Sequence, residues 1–269
     1  MNRAPKRLLS LSSELDIAVT TMALLAWYHI IKEFLPSYQQ GKEKYSFSIW
    51  KEKRLSWIMT LLSAIFASVM TVIYAVDLTI YPTTLSMPFE LKDLVDLDTY
   101  TFNTPNMMKF LFGHDRLSLL SIRFFCTYMV LDTIYMYRYY YNISNAVSWI
   151  HHIGYAIVMA STLFFTPPCP MIFVVFFPLE ISTIFLAVGN IWPYAKQDIL
   201  FGVTFFMFRV VYHGALVAYL FYNFTSIPPY KSFYAIGASM SWFMHCHWFV
   251  NWFKKFVTNR FSHNRVKEL

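Results

Sequence analysis

Residues 147–165 read VSWIHHIGYAIVMASTLFF. The run contains no Asp, Glu, Lys or Arg, and at 1.5 Å per helical residue it is long enough to cross the roughly 30 Å hydrocarbon core of a bilayer. Two adjacent histidines, His151 and His152, stand near one end. Ionisable groups inside a lipid-spanning helix are costly, so they require shelter within a bundle and partners on neighbouring helices. That requirement sets the fold class: an all-α, polytopic membrane protein.

The rest of the chain agrees. Of its 269 residues 57% are hydrophobic and only 14% charged, with a mean hydropathy of +0.42, too few charges to coat a soluble surface. Six further apolar runs flank the histidine helix, at 15–31, 55–80, 117–137, 171–191, 199–222 and 230–253. Seven transmembrane helices are therefore expected, a six-helix bundle preceded by one N-terminal helix. Three units follow: a tail, first helix and basic cytosolic loop over 1–54, the bundle over 55–253, and a basic tail over 254–269.

The first run is pinched to minimum length by Glu14, Asp16, Lys32 and Glu33. Its basic start leads into a full span with no small-residue cleavage pattern, so it reads as retained. Asp77 sits late in the second run, close enough to its end to reach the interface. After the fourth, the PPCP run at 167–170 forces a break, because proline cannot continue a helix and restricts the residue before it. The long loop 81–116 carries five acids, and its stretch PFELKDLVDL forms either a short helix on the membrane surface or a solvated loop.

The formal charge of +7 comes from Lys and Arg in the loops beside the runs. That is topogenic charge, not a nucleic-acid footprint, and the richer side places the C-terminus in the cytosol. Cys126, Cys169 and Cys246 form no CxxC and no paired framework, which implies neither disulfides nor zinc. Sequons at Asn142 and Asn223 fall on the cytosolic side and against the membrane, poor places for glycosylation. The terminal RVKEL loosely fits a dibasic retrieval signal of the endoplasmic reticulum, the alternative being a solvated tail.

Helix geometry connects the intramembrane polar groups. Asp132 lies five residues before the third run ends and His152 five after the fourth begins, so both sit about 7–8 Å inside one boundary on antiparallel neighbours. The pair reads either as a base or nucleophile oriented by a carboxylate or as a structural tie. Adjacent helical residues point about 100° apart, so one histidine is expected to face a cavity and the other a neighbouring helix. Glu180 and Arg209 reach similar depth near mid-membrane. They form an ion pair, or Arg209 receives an acidic headgroup with Glu180 orienting it. His213, His245 and His247 complete the set. His245 and His247 lie about 200° apart on a helix and the HxxxH and HxxHH patterns of di-iron hydroxylases are missing, so no metal is expected.

These residues carry a resemblance. YMVLDTIY with Asp132, WIHHIGYAIV, PLEISTIFLAVGNIW with Glu180, Ser182 and Thr183, and FMFRVVY with Arg209 occur in an order that resembles the TLC domain. Translocation-associated membrane proteins, ceramide synthases and several lipid-homeostasis proteins share that domain, and the likeness covers about 55–253. It implies a six-helix bundle around a lipid-accessible cavity in the endoplasmic reticulum or a related membrane. In ceramide synthases the double histidine carries acyl transfer from acyl-CoA, and His151 and His152 stand in that position. The paired-aspartate stretch that follows in those enzymes is here PLEISTIFLAV, as in TLC proteins outside the synthase branch.

Three functions are thus expected, in this order. The first binds lipid in the bundle, through Glu180, Arg209, His213, His245 and His247, and influences membrane lipid composition. The second is an acyltransferase with His151, His152 and Asp132 as its catalytic set, no cofactor, and acyl-CoA as substrate. The third is a seven-helix receptor or transporter, disfavoured because the last run has neither a mid-span lysine nor NPxxY, and inverted repeats are missing. Membrane lipids are the expected partners.

Overall fold

The computed structural model describes residues 4–33, 54, 57–79, 95–96, 101–102, 104–139, 141, 146–164, 168–227 and 229–267. Helix α1 is Ala4–Glu33 and α2 is Ile58–Thr79, followed by a two-residue antiparallel ladder, β1 (Val95–Asp96) with β2 (Thr101–Phe102). A short α3 (Thr104–Leu111) leads to α4 (Arg116–Tyr139) and the histidine helix α5 (Ala146–Phe164). Then come α6 (Met171–Val174), a 3₁₀ turn (Phe177–Glu180), α7 (Ile181–Ile191), α8 (Asp198–Phe205), a π-helical segment (Phe206–Tyr212), α9 (His213–Tyr222) and α10 (Phe233–Lys267).

Among the described residues five stretches are long and apolar enough to cross a membrane: Glu14–Glu33, Ile58–Asp77, Arg116–Arg138, Met171–Ile191 and Asp198–Tyr222. Helices α5 and α10 form at the positions expected for the fourth and seventh runs. The bundle is built by neighbours in sequence and by return contacts: α4 packs on α1, α2 and α5, α2 on α7, α7 on α8, and α10 on α8, the π segment and α9.

Local chemistry explains the boundaries. Asp115 and Ser118 cap α4 reciprocally, Asp115 Oδ1 accepting from Ser118 N at 2.6 Å and Ser118 Oγ from Asp115 N at 2.9 Å, which satisfies two orphan donors at the helix start. The run expected as one helix over 171–191 is broken at 175–180. Pro178 has no N–H, and its ring collides with the carbonyl four residues back, that of Val174, where α6 ends.

Several expectations change. Asp16 does not merely shorten the first run: Arg123 of α4 donates to it at 2.6 Å and ties α1 to the bundle. Trp27 adds a bond to the Ile58 carbonyl at 2.9 Å. Asp77, at the end of the second run, is 2% exposed, because the start of α4 covers that end of α2, with Tyr74 donating to Asp115. Arg54, read as a loop charge, is buried and donates to the last carbonyl of α7, Ile191, at 2.6 Å. Most of the stretch 88–97 lies outside the described residues, and its Val95 and Asp96 pair as strand, not helix. Asn142 is likewise outside them, while Asn223 is buried and donates to the Tyr219 carbonyl.

Candidate functional site

Breaking a helix inside a membrane frees backbone carbonyls that lipid cannot satisfy, so neighbouring helices must supply donors. The π segment does so. Tyr212 donates to the Val175 carbonyl at 2.7 Å, and Arg209, three residues earlier on the same face, donates through Nε to the Leu179 carbonyl at 3.1 Å. The wide turn is itself braced from α10, where the Trp242 indole donates to the Val210 carbonyl at 2.8 Å.

The Arg209 guanidinium is nearly saturated. Nε also reaches Ser182 Oγ at 3.0 Å, Nη2 donates to Glu180 Oε1 at 3.2 Å and Thr183 Oγ1 at 2.8 Å, and Nη1 meets His245 Nε2 at 2.8 Å. The Phe205 ring lies beneath it, 5.5 Å from Cζ to the ring centre. Guanidinium only donates, so His245 Nε2 must be the acceptor and its proton sits on Nδ1. That proton points to His213 Nδ1 at 3.1 Å, which therefore accepts and holds its own proton on Nε2. Both imidazoles are neutral in this chain.

Glu180 and Arg209 thus form the ion pair expected from their depth, and the pair sits inside a larger hydrogen-bonded knot. The reading of Arg209 as a headgroup receiver loses ground, because most of its N–H directions end on protein.

The second expected pair comes within contact distance, His152 Nδ1 and Asp132 Oδ2 being 3.4 Å apart, but without the geometry of a hydrogen bond. Contrary to expectation, both histidines of α5 line the same cavity, because it wraps more than 100° of the helix. His152 turns toward α4, and His151 toward α10, packing on Tyr155 with centroids 4.5 Å apart and reaching the Trp248 ring at 6.1 Å. The buried His151 Nδ1 has no hydrogen-bond partner.

That cavity has a volume of about 860 Å³, within the ~300–1,000 Å³ of small-molecule sites. Asp132, His151, His152, Glu180, Arg209, His213 and His245 all face it. Along α10 the lining runs from Tyr234 to Trp248, roughly 21 Å at 1.5 Å per residue. Phenylalanine and methionine side chains such as Phe125, Met129, Phe173 and Phe177 form its apolar walls. His247 is the exception to the expected set: it is exposed and bonded to Asn251 at 2.8 Å, outside the lining, as its 200° offset from His245 dictates. Among the described residues no three His, Cys, Asp or Glu side chains gather as metal ligands.

Sequence reasoning passed over Tyr155 and Ser241, whose hydroxyls bond across the cavity, and Trp248. Helical period is the signal that finds them: Tyr155 is four residues after His151, Ser241 four before His245, and Trp248 three after it.

The fold and site define a multi-pass helical membrane protein whose intramembrane polar residues converge on one elongated, largely apolar cavity. The chain belongs to the TLC domain family, whose sequence model matches residues 49–254. No curated protein and no solved structure matches it.

Proposed function

We propose that the protein crosses its membrane seven times, binds a lipid in the bundle, and thereby influences the lipid composition of the endoplasmic reticulum or a related endomembrane. The observation that carries this reading is the cavity itself. Its length along α10 exceeds the roughly 15 Å of one leaflet's hydrocarbon, so an extended acyl chain fits. Its polar middle supplies hydrogen bonds for a headgroup. Because Arg209 is spent on protein groups, the polar end of the lipid falls to His151, His152 and Tyr155, with Arg209, His213 and His245 shaping the wall behind them.

The test is mass spectrometry of lipid co-purified in detergent, with lipidomics of cells making the protein or its His152→Ala variant. A single enriched lipid class, reduced in the variant, is expected. Indistinguishable profiles with and without the protein count against the reading.

One observation favours a second function, the acyl-CoA-dependent acyltransferase. His151 Nδ1 is buried, unpartnered and beside the cavity, and His152 has a carboxylate next to it, as a nucleophile or base requires. Labelled acyl-CoA is then expected to leave an adduct on the peptide carrying His151 and His152. No adduct and no product with several acceptors would retire it.

A further inference from the structure

The bundle is not closed evenly. Helix α5 packs closely along α4, and among the described residues it has no comparable backbone approach to α10, although both line the cavity. Side chains bridge them. Tyr155 bonds to Ser241, Ser161 Oγ to Tyr234 Oη at 3.0 Å, and His151 packs near Trp248. As the number rises on α5 it falls on α10, so the three contacts are rungs between antiparallel helices.

Between the rungs the seam is open. A Cβ added to Gly154 on α5 or to Gly237 on α10 would meet nothing within 4 Å, and both glycines line the cavity. Two lining residues are also mostly exposed on the outer surface, Ile150 at 73% and Met240 at 70%, one on each of these helices. The flanking outer face is apolar, with Ile153 and Ile157 on α5 and Ile236 and Phe243 on α10 exposed. A side opening bordered by apolar exposed residues suits hydrocarbon, not water.

We infer that the seam between α5 and α10 is a lateral portal through which a lipid passes from the bilayer into the cavity, with the Tyr155–Ser241 bond as its latch. The inference rests on the lipid-binding reading and adds the route. It also limits the cargo. The cavity lining contains two carboxylates, Asp132 and Glu180, and one permanent cation, Arg209, already paired with Glu180. Among the described residues an anionic headgroup finds no free cation there, so the lipid that passes carries no net negative charge.

The full chain in phosphatidylcholine nanodiscs is loaded with a fluorescent diacylglycerol, and release into excess phosphatidylcholine vesicles is timed. The same label on phosphatidic acid is run in parallel. Gly154→Phe with Gly237→Phe fills the open part of the seam, and replacing helical glycine favours the helix, so folding is retained. Release is expected to slow at least about tenfold. Ser241→Ala removes the latch hydrogen bond and is expected to speed release about fivefold, with equilibrium occupancy nearly unchanged. Phosphatidic acid is expected to load poorly in every variant. Normal loading with release rates unmoved by both variants overturns the portal and leaves lipid binding standing. Loading of phosphatidic acid equal to diacylglycerol overturns the exclusion of anionic cargo. No loading of either lipid by the wild type removes the binding reading, and the portal with it.

Discussion

The helices that meet at Arg209 and the histidine helix α5 handle buried polarity in opposite ways. Around Arg209, the 3₁₀ turn, α7, the π segment and α10 bond to one another: the Val175 and Leu179 carbonyls on either side of Pro178 are taken by Tyr212 and Arg209, and the guanidinium closes on Glu180, Ser182, Thr183 and His245. On α5 the histidines face a cavity, and the Nδ1 atoms of both His151 and His152 lack a hydrogen-bond partner; on the Arg209 side only His213 Nε2, which also lines the cavity, does so among these groups. In a membrane interior, polar groups that saturate one another build the bundle, while those left unsatisfied against an open space are the ones with a ligand to meet.

The sharpest way to break this contrast is to remove its centre. Arg209→Leu strands the Glu180 carboxylate, the His245 nitrogen and the Leu179 carbonyl together, and losing one partner of a buried ion pair costs about 3–5 kcal/mol. Loss of monodisperse protein on size-exclusion chromatography, or a collapse in thermal stability, is expected. Arg209→Lys keeps the charge but replaces a planar fork with one ammonium that cannot reach three elements, so it is expected to fall between leucine and wild type. A fully stable Arg209→Leu protein would show that the knot is incidental.

A smaller effect is expected where α8 meets α10. A Cβ on Gly202 would enter the Trp252 indole, which is held by rings of Phe201, Phe249 and Phe256. Gly202→Ala therefore overpacks the contact, at about 1–3 kcal/mol, and Trp252→Leu in the same chain is expected to restore most of the loss. Chemical or thermal unfolding of the two variants measures it.

Much of this was legible in the sequence. Apolar run length located the long helices, and depth arithmetic at 1.5 Å per residue paired Asp132 with His152 and Glu180 with Arg209, because a short connection forces antiparallel neighbours into register. The illegible parts depend on contacts that no local pattern encodes. Asp16 looked like a span boundary because its partner, Arg123, lies on a distant helix. Arg54 looked topogenic because burial under the end of α7 is a tertiary fact. The π segment leaves no mark in FMFRVVY, and the break at 175–180 has only Pro178 to announce it. The shared cavity face of His151 and His152 was misjudged because the 100° rule gives direction, not the width of the space being faced.

The tie between α1 and the bundle sharpens the comparison at lower energy. Arg123 and Asp16 are each partly exposed, so their coupling is expected at about 0.6–1.7 kcal/mol, the range for polar pairs between membrane helices. A double-mutant cycle of Asp16→Asn and Arg123→Gln, read by thermal unfolding in detergent, gives it. Coupling near zero would leave α1 held by the Trp27 bond and apolar packing, such as that of Tyr28 on Tyr135.

The least destabilising change is expected at the residue with most to do. His151→Ala removes an imidazole whose buried nitrogen bonds to nothing and whose ring already borders a cavity. It frees no hydrogen-bond partner and gives up only ring contacts with Tyr155 and Trp248 beside an existing cavity, so its cost should be about 1 kcal/mol. Packed core truncations cost about 2–5 kcal/mol. The amount of co-purified lipid, or its class, is expected to change in the same preparation. Stability lost on the scale of Arg209→Leu would mean that α5 is held by its histidines as the Arg209 side is held by its knot, and the contrast between a closed half and an open half would not stand. Unchanged stability with altered lipid would separate the group that holds the helices from the group that meets the ligand.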